Sequence, residues 1–144
     1  MQEFNIKLRN ESKKVNLINL KTNYLKIKFK IKGLYKKNLK FKGEVNFVIS
    51  IINNNIKINN LSISDLDVYN NYSSDLICNN VYTLSAYEII ENENYIKKIY
   101  NNLKEFVNSI EINKEDNKIN YIVFNSSKNK IRKINIKGYA RNYN

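Results

Sequence analysis

Residues 24–42 read YLKIKFKIKGLYKKNLKFK, and the alternation in this stretch decides the class of fold that we expect. Side chains along a β-strand point to opposite faces in turn, so residues two apart share a face. The stretch therefore predicts a two-stranded ribbon with one apolar face and one basic face. The predicted partner-binding residues on the basic face are Lys26, Lys28, Lys30, Lys32, Lys40 and Lys42.

The ribbon is expected to turn through residues 33–37, which pairs Ile31 with Leu39. That register places Lys30 opposite Lys40, and like charges directly across a ladder are destabilising. Three explanations of the basic face are open. It binds an anionic partner, it is neutralised by acidic residues elsewhere in the chain, or it is a solvated edge whose lysines discourage aggregation between sheets.

The chain has 144 residues and a formal net charge of +12, and its length suits a single domain spanning 1–144. Residue usage is lopsided, with 29 Asn, 22 Ile and 22 Lys but no Pro, Trp or His. An AT-rich genome explains much of the asparagine and the preference for Lys over Arg. Glu also has AT-rich codons yet occurs only 9 times, so the positive charge indicates an acidic partner.

Charge is also segregated along the chain. Residues 1–60 carry a net charge of +11, residues 61–96 carry −6, and residues 97–144 carry +7. The acidic segment is the internal counter-charge of the lysine face if the two fold together. Alternatively, basic and acidic segments of neighbouring copies face each other in a homo-oligomer. The acids of the segment are Asp65, Asp67, Asp75, Glu88, Glu91 and Glu93.

Further strands are indicated on both sides of the ribbon. Residues 4–8 alternate in the same way, and the second ribbon strand continues past Phe47 with apolar residues on both faces, which is typical of a central strand. Three asparagines at 53–55 predict a turn, because Asn tolerates positive φ. The returning strand changes parity at residues 59–60, which implies a bulge or a twist.

A helix is predicted from Ser85 onward. The segment Ser85-Ala86-Tyr87-Glu88 has the spacing of a capping box, and three glutamates near this start precede lysines further on, as the helix dipole favours. Apolar residues then recur at helical spacing, which indicates a stripe that docks on the sheet. The stripe consists of Ile89, Ile96, Ile99, Tyr100, Leu103, Phe106, Val107 and Ile110.

Residues 119–124 and 131–137 alternate again and predict a second hairpin around residues 125–130. The secondary basic residues in and beside its turn are Lys128, Lys130, Arg132 and Lys133. We therefore expect an α+β fold, in which a mainly antiparallel β-sheet of about five to seven strands packs against one long amphipathic α-helix.

The stretch from Leu66 to Leu84 lacks a firm periodicity and predicts a long loop. Loops of this length in a compact domain are often functional. Tyr69 and Tyr72 lie there among Asn and Ser, a combination typical of adaptable binding surfaces. Both tyrosines are candidate contacts with a partner.

The chain has little of the chemistry that catalysis uses. Without His, the usual Ser-His-Asp and Cys-His arrangements cannot be built. Gly33, Gly43 and Gly138 are too far apart for a phosphate-binding loop. Cys78 is the only cysteine and lies in an apolar stretch, which predicts a buried side chain rather than a disulfide or a reactive thiolate. We expect no enzymatic activity, no metal site and no cofactor.

The beginning of the chain lacks the apolar core of a signal peptide, and no stretch is long enough to span a bilayer. We expect an intracellular protein without a membrane partner, located in the cytoplasm, or in the virion if it is a structural protein.

The favoured function is that of a small non-catalytic binding protein, such as an accessory or inhibitor protein of a phage or virus. It would engage nucleic acid or an acidic protein surface through the lysine ribbon. One alternative is an assembly subunit of a virus particle or phage tail. A second alternative is a binder of a small anionic ligand such as a nucleotide.

Overall fold

The computed structural model describes residues 2–18, 22–35, 38–80, 84–85, 94–126 and 131–142. Strands make up 72% of the structure, and the larger sheet is antiparallel and curled. In chain order the elements are β1 (Gln2–Leu8), β2 (Ser12–Asn16), β3 (Tyr24–Tyr35), β4 (Leu39–Ile52), β5 (Asn55–Asn70), β6 (Leu76–Asn80), β7 (Leu84–Ser85), α1 (Asn94–Asn108), β8 (Glu111–Glu115), β9 (Lys118–Asn125) and β10 (Ile131–Asn142).

The strands form two sheets. The large sheet has the spatial order β1-β10-β3-β4-β5-β6, with β7 also pairing β5, and the small sheet has the order β2-β9-β8. The lysine-rich strands β3 and β4 therefore lie in the middle of the large sheet. Because each has a hydrogen-bonded neighbour on both sides, the interpretation of the lysines as protection of a sheet edge is wrong.

The register between β3 and β4 differs by four residues from the predicted one. Tyr35, rather than Ile31, lies opposite Leu39. The reason is that β3 continues to Tyr35, since burying Tyr35 and Leu39 extends both strands beyond the expected turn. A shift by an even number leaves every lysine on its predicted face. The residue opposite Lys30 is Glu44, however, instead of another lysine.

Three predictions about β4 and β5 are confirmed. The five residues from Phe47 to Ile51 are all buried, so β4 is covered on both faces there. The turn that follows has left-handed φ angles of 51° at Asn53 and 66° at Asn54. A bulge occurs in β5, where the register shifts and Asn60 has a φ of 56°.

The α+β prediction is wrong, because the protein is mostly β. The helix α1 begins at Asn94, and Ser85, the predicted cap, lies in β7 opposite Ser62. The backbone of Ser85 pairs with β5, and residues 86–93 lie outside the described part of the chain. Within α1, the first turn has no acidic residue and the last turn has no basic residue.

Within the described part of the chain there is no long amphipathic helix. Ile89 and the three predicted glutamates, at 88, 91 and 93, lie outside the described residues. The portion of the predicted apolar stripe inside α1 is buried, as expected for core residues. It consists of Ile96, Ile99, Tyr100, Leu103, Phe106 and Val107.

The predicted hairpin of residues 119–124 with 131–137 is also wrong. β9 lies between β2 and β8 in the small sheet, whereas β10 lies between β1 and β3 in the large one. A tighter turn competes successfully for β9: Asp116 and Asn117 have φ angles of 52° and 57°, as a two-residue hairpin turn requires. This turn pairs β9 with β8.

Phenylalanine rings connect the two sheets and α1 through one core. The ring centroid of Phe124, on β9, lies 5.7 Å from that of Phe4, 6.0 Å from Phe29 and 6.2 Å from Phe106. These separations are favourable for aromatic pairs. The small sheet and the helix thus cover one face of the large sheet, and the lysines lie on the other.

Candidate nucleic-acid interface

We call the face of the large sheet opposite this core the open face. Along β3, the inward side chains Leu25, Ile27, Phe29 and Ile31 are at most 1% exposed. Lys26 and Lys28, which alternate with them, are half-buried, and Lys30 and Lys32 are exposed. The predicted alternation of β3 is therefore confirmed. Lys40 and Lys42 lie on the same face of β4, because Lys42 is opposite Lys32.

Neighbouring strands enlarge this basic surface beyond the predicted ribbon. β10 contributes a run of polar side chains that lies directly beside β3, and Lys7 of β1 lies opposite Asn135. Across β10, β3 and β4, the successive rows are Asn135-Lys32-Lys42, Lys137-Lys30-Glu44, Tyr139-Lys28-Asn46 and Arg141-Lys26-Val48.

Among the residues that the structure describes, basic side chains outnumber acidic ones on the open face. The acids there are Glu3, Glu44, Asp65 and Asp67. The basic residues are Lys7, Lys26, Lys28, Lys30, Lys32, Lys40, Lys42, Lys57, Lys133, Lys137 and Arg141. The face therefore retains a clear excess of positive charge.

Two ion pairs neutralise part of this charge. Lys28 Nζ lies 2.9 Å from Glu44 Oε1, and Lys42 Nζ lies 4.0 Å from Asp67 Oδ2. Among the described residues, Asp67 is the only member of the acidic segment that pairs with a lysine of the open face. Internal neutralisation by that segment is therefore partial within this part of the chain.

These contacts hold the lysines in their charged form. A hydrogen bond to Glu44 and the attraction of its carboxylate raise the pKa of Lys28 above its ordinary value. A hydrogen bond to the Tyr69 side chain is the main cause that raises the pKa of Lys42, with Asp67 contributing less. Both side chains are cationic at neutral pH.

Three adjoining depressions lie on the open face. The first, of about 610 Å³, is bordered by lysines of β3, β4 and β10 together with Tyr69. The second, of about 640 Å³, lies among Lys7, Lys30 and Lys137 and also contains Asp65 and Asp67. The third, of about 760 Å³, lies between β1, β10, β3 and β4. A ligand on this face would therefore contact several strands at once.

The predicted loop from Leu66 onward is wrong as far as residue 80, because β5 continues to Asn70 and β6 follows. Tyr69 is half-buried in β5, opposite Lys40. The Nζ atoms of Lys42 and Lys40 lie 5.5 Å and 5.8 Å from the centre of its ring, within the range of cation–π attraction. Tyr72 lies in the turn after β5 and is 77% exposed.

The secondary basic residues have different positions. Lys133 joins the lysines around the first depression. Arg132 lies in β10, where the pairing with β3 shifts register. Lys128 and Lys130 lie outside the described residues. The backbone of Cys78 lies in β6, opposite Val68. Its side chain, which is predicted to be buried, lies outside the described part of the structure.

Sequence reasoning assigned no partner contact to Lys7, Asn135, Tyr139 or Arg141. For the three residues on β10, the sequence signal is alternation, because residues 133, 135, 137, 139 and 141 are polar or basic while those between are apolar or small; Lys7 belongs to the similar alternation of β1. That pattern identifies a half-buried strand. It does not identify β3 as the neighbour, because the two strands are about a hundred residues apart in the chain.

Among the described residues, no group of three or more His, Cys, Asp or Glu side chains is arranged to hold a metal ion. The described helix is too short and too polar to cross a membrane. No protein-family model matches the chain, and neither curated proteins nor solved structures show significant similarity to it.

Proposed function

We propose that this is a non-catalytic binding protein whose open face engages nucleic acid. The observation that carries the proposal is the continuous basic surface formed by β1, β10, β3 and β4. Clustered lysines on one face of a domain are the electrostatic footprint of nucleic-acid binding.

The spacing of the lysines fits a phosphate backbone. Alternate residues of a strand are about 6.8 Å apart, near the spacing of successive phosphates in an extended nucleic-acid strand. Lys26, Lys28, Lys30 and Lys32 form one such row on β3. Contacts of this kind provide affinity without sequence preference, since phosphates carry no sequence information.

Aromatic residues favour nucleic acid over an acidic protein surface. Tyr69 and Tyr139 lie on the open face among the basic residues, and both are half-buried. Aromatic rings beside a cationic groove are the platform on which single-strand binders stack bases. These two rings therefore support nucleic acid as the partner of the open face.

The proposal is tested by fluorescence anisotropy with labelled nucleic acid at several salt concentrations. Lys30, Lys32 and Lys137 are exposed on the open face, and changing all three to Gln removes three positive charges. The matched control changes Lys98, Lys104 and Lys118 to Gln, which removes the same charge from α1 and β9.

We expect the open-face variant to bind much more weakly and to show a slope of log affinity against log salt that is smaller by about 2. The control should keep a slope close to that of the unmodified protein. If both variants lose affinity equally, net charge rather than the open face is responsible. A protein that ignores nucleic acid and forms a defined oligomer would instead support an assembly subunit.

A further inference from the structure

The first depression of the open face differs from the other two in its lining. Four lysines, Lys32, Lys40, Lys42 and Lys133, surround it, and Leu34 and Tyr69 are the apolar and aromatic residues of the open face that line it. Its volume of about 610 Å³ lies within the range that holds a small organic ligand. The combination of an apolar interior and a cationic border suits a flat apolar group attached to an anion.

We propose that this depression accepts one unpaired base of a single-stranded nucleic acid, while the surrounding lysines contact the flanking phosphates. The inference rests on the proposed function and specifies its substrate class. It makes single strands, rather than duplexes, the preferred ligand of the open face.

Tyr69 is the residue on which the base would stack. Its ring is half-buried in β5, and the ammonium groups of Lys40 and Lys42 lie within 5.8 Å of its centre. Lys40 also donates a hydrogen bond of 2.9 Å to Ser74 Oγ, which fixes that lysine at the border of the depression. A ring held among cations presents a π-surface next to sites for phosphate, and stacking on it tolerates any base.

A duplex cannot use the depression in the same way. Its bases are paired and stacked, and taking one out of the helix costs a few kcal/mol. In a single strand the base is already free to rotate, so the apolar interior of the depression, which includes Leu34 and Tyr69, can be filled at little cost.

The test compares three labelled ligands of equal length at one salt concentration: oligothymidylate, an oligomer in which abasic sites replace every base, and a DNA duplex. Oligothymidylate and the abasic strand have the same phosphates and differ only in the bases. We expect oligothymidylate to bind at least about ten-fold more tightly than the abasic strand.

The Tyr69→Ser variant should reduce the affinity for oligothymidylate by about ten-fold and leave that for the abasic strand unchanged. Tyr69→Phe keeps the ring and should retain the preference for bases. Tyr121→Ser is the matched control, because Tyr121 is also half-buried with a lysine ammonium group over its ring but lies on β9 in the small sheet, away from the open face. It should leave the preference for bases unchanged.

Equal affinity for oligothymidylate, abasic strand and duplex would overturn the inference while leaving the proposed function intact. Loss of the base preference in Tyr121→Ser, or its retention in Tyr69→Ser, would also overturn it. If none of the three ligands binds, the proposed function fails as well. Thermal unfolding of each variant shows whether the Tyr69 change alters the fold, and the Phe variant tests the base preference independently of any such change.

Discussion

At the scale of single residues, asparagine occupies many of the positions that require a left-handed backbone. Among the described residues, Asn10, Asn53, Asn54, Asn60 and Asn117 have positive φ, and none of the three glycines does. The turn after β4 could be predicted from three consecutive asparagines. Isolated asparagines with positive φ, such as Asn10, could not be predicted, because Asn is frequent throughout this chain.

Substitution of Asn54 tests this assignment. Its φ of 66° is unfavourable for residues with an ordinary Cβ, so Asn54→Ala should destabilise the protein by about 1 kcal/mol. Asn54→Gly should be no less stable than the unmodified protein, because glycine adopts this φ without strain. Denaturant unfolding of both variants measures the difference, and equal stability of the two would contradict the assignment.

Gly138 has a different role, since it allows β10 and β3 to approach closely. A Cβ at this position would lie against the backbone carbonyl oxygen of Lys28 and 2.6 Å from Phe29 Cα. We expect Gly138→Ala to cost about 1–3 kcal/mol in the free energy of unfolding. At Gly43 the same change meets Leu66 Cδ1 at 3.3 Å, which can move, so Gly43→Ala should cost clearly less. A larger loss at Gly43 would refute this explanation.

At the scale of secondary structure elements, local pattern and long-range pairing differ in how well the sequence reveals them. The faces of β3 and β4 follow from alternation, and that prediction is confirmed. Their register does not follow from alternation, because it depends on where β3 ends, and β3 extends to Tyr35. The partner of β9 was missed for a similar reason, since the short turn at residues 116–117 outcompetes pairing with β10.

The side chain of Phe124 connects the two sheets. It is fully buried and its ring packs against Phe4, Phe29 and Phe106. Phe124→Ala should therefore destabilise the protein by about 3–5 kcal/mol. Tyr121 lies on the same strand, is half-buried, and has Lys14 Nζ 3.9 Å above its ring. Tyr121→Ala should cost far less, and similar losses in both variants would show that Phe124 is not the connection.

At the scale of the whole molecule, the charge of the open face comes from strands that are distant in the chain. The lysine ribbon could be predicted because its residues are consecutive. The contribution of β10 and β1, and the positions of Glu44 and Asp67 beside Lys28 and Lys42, depend on topology. The depressions could not be predicted from the sequence either, since each combines residues from several strands.

The binding that we propose should be insensitive to pH near neutrality. The chain has no histidine, and the pKa values of Lys28 and Lys42 are raised above 10.5. Raised lysine pKa values add stability that is fully present below pH 10.5 and is lost as the pH rises through the folded-state values. Affinity for nucleic acid should thus be constant from about pH 6 to about pH 9 at fixed salt. A steep change within that range would implicate a group outside the open face.

Lysine acetylation footprinting, read by mass spectrometry with and without bound nucleic acid, tests whether the open face is the binding surface. We predict that Lys28, Lys30, Lys32 and Lys137 become protected when nucleic acid binds, whereas Lys98 on α1 and Lys118 on β9 react equally in both samples. Protection of Lys98 and Lys118, with the lysines of the open face left reactive, would show that the open face is not the binding surface.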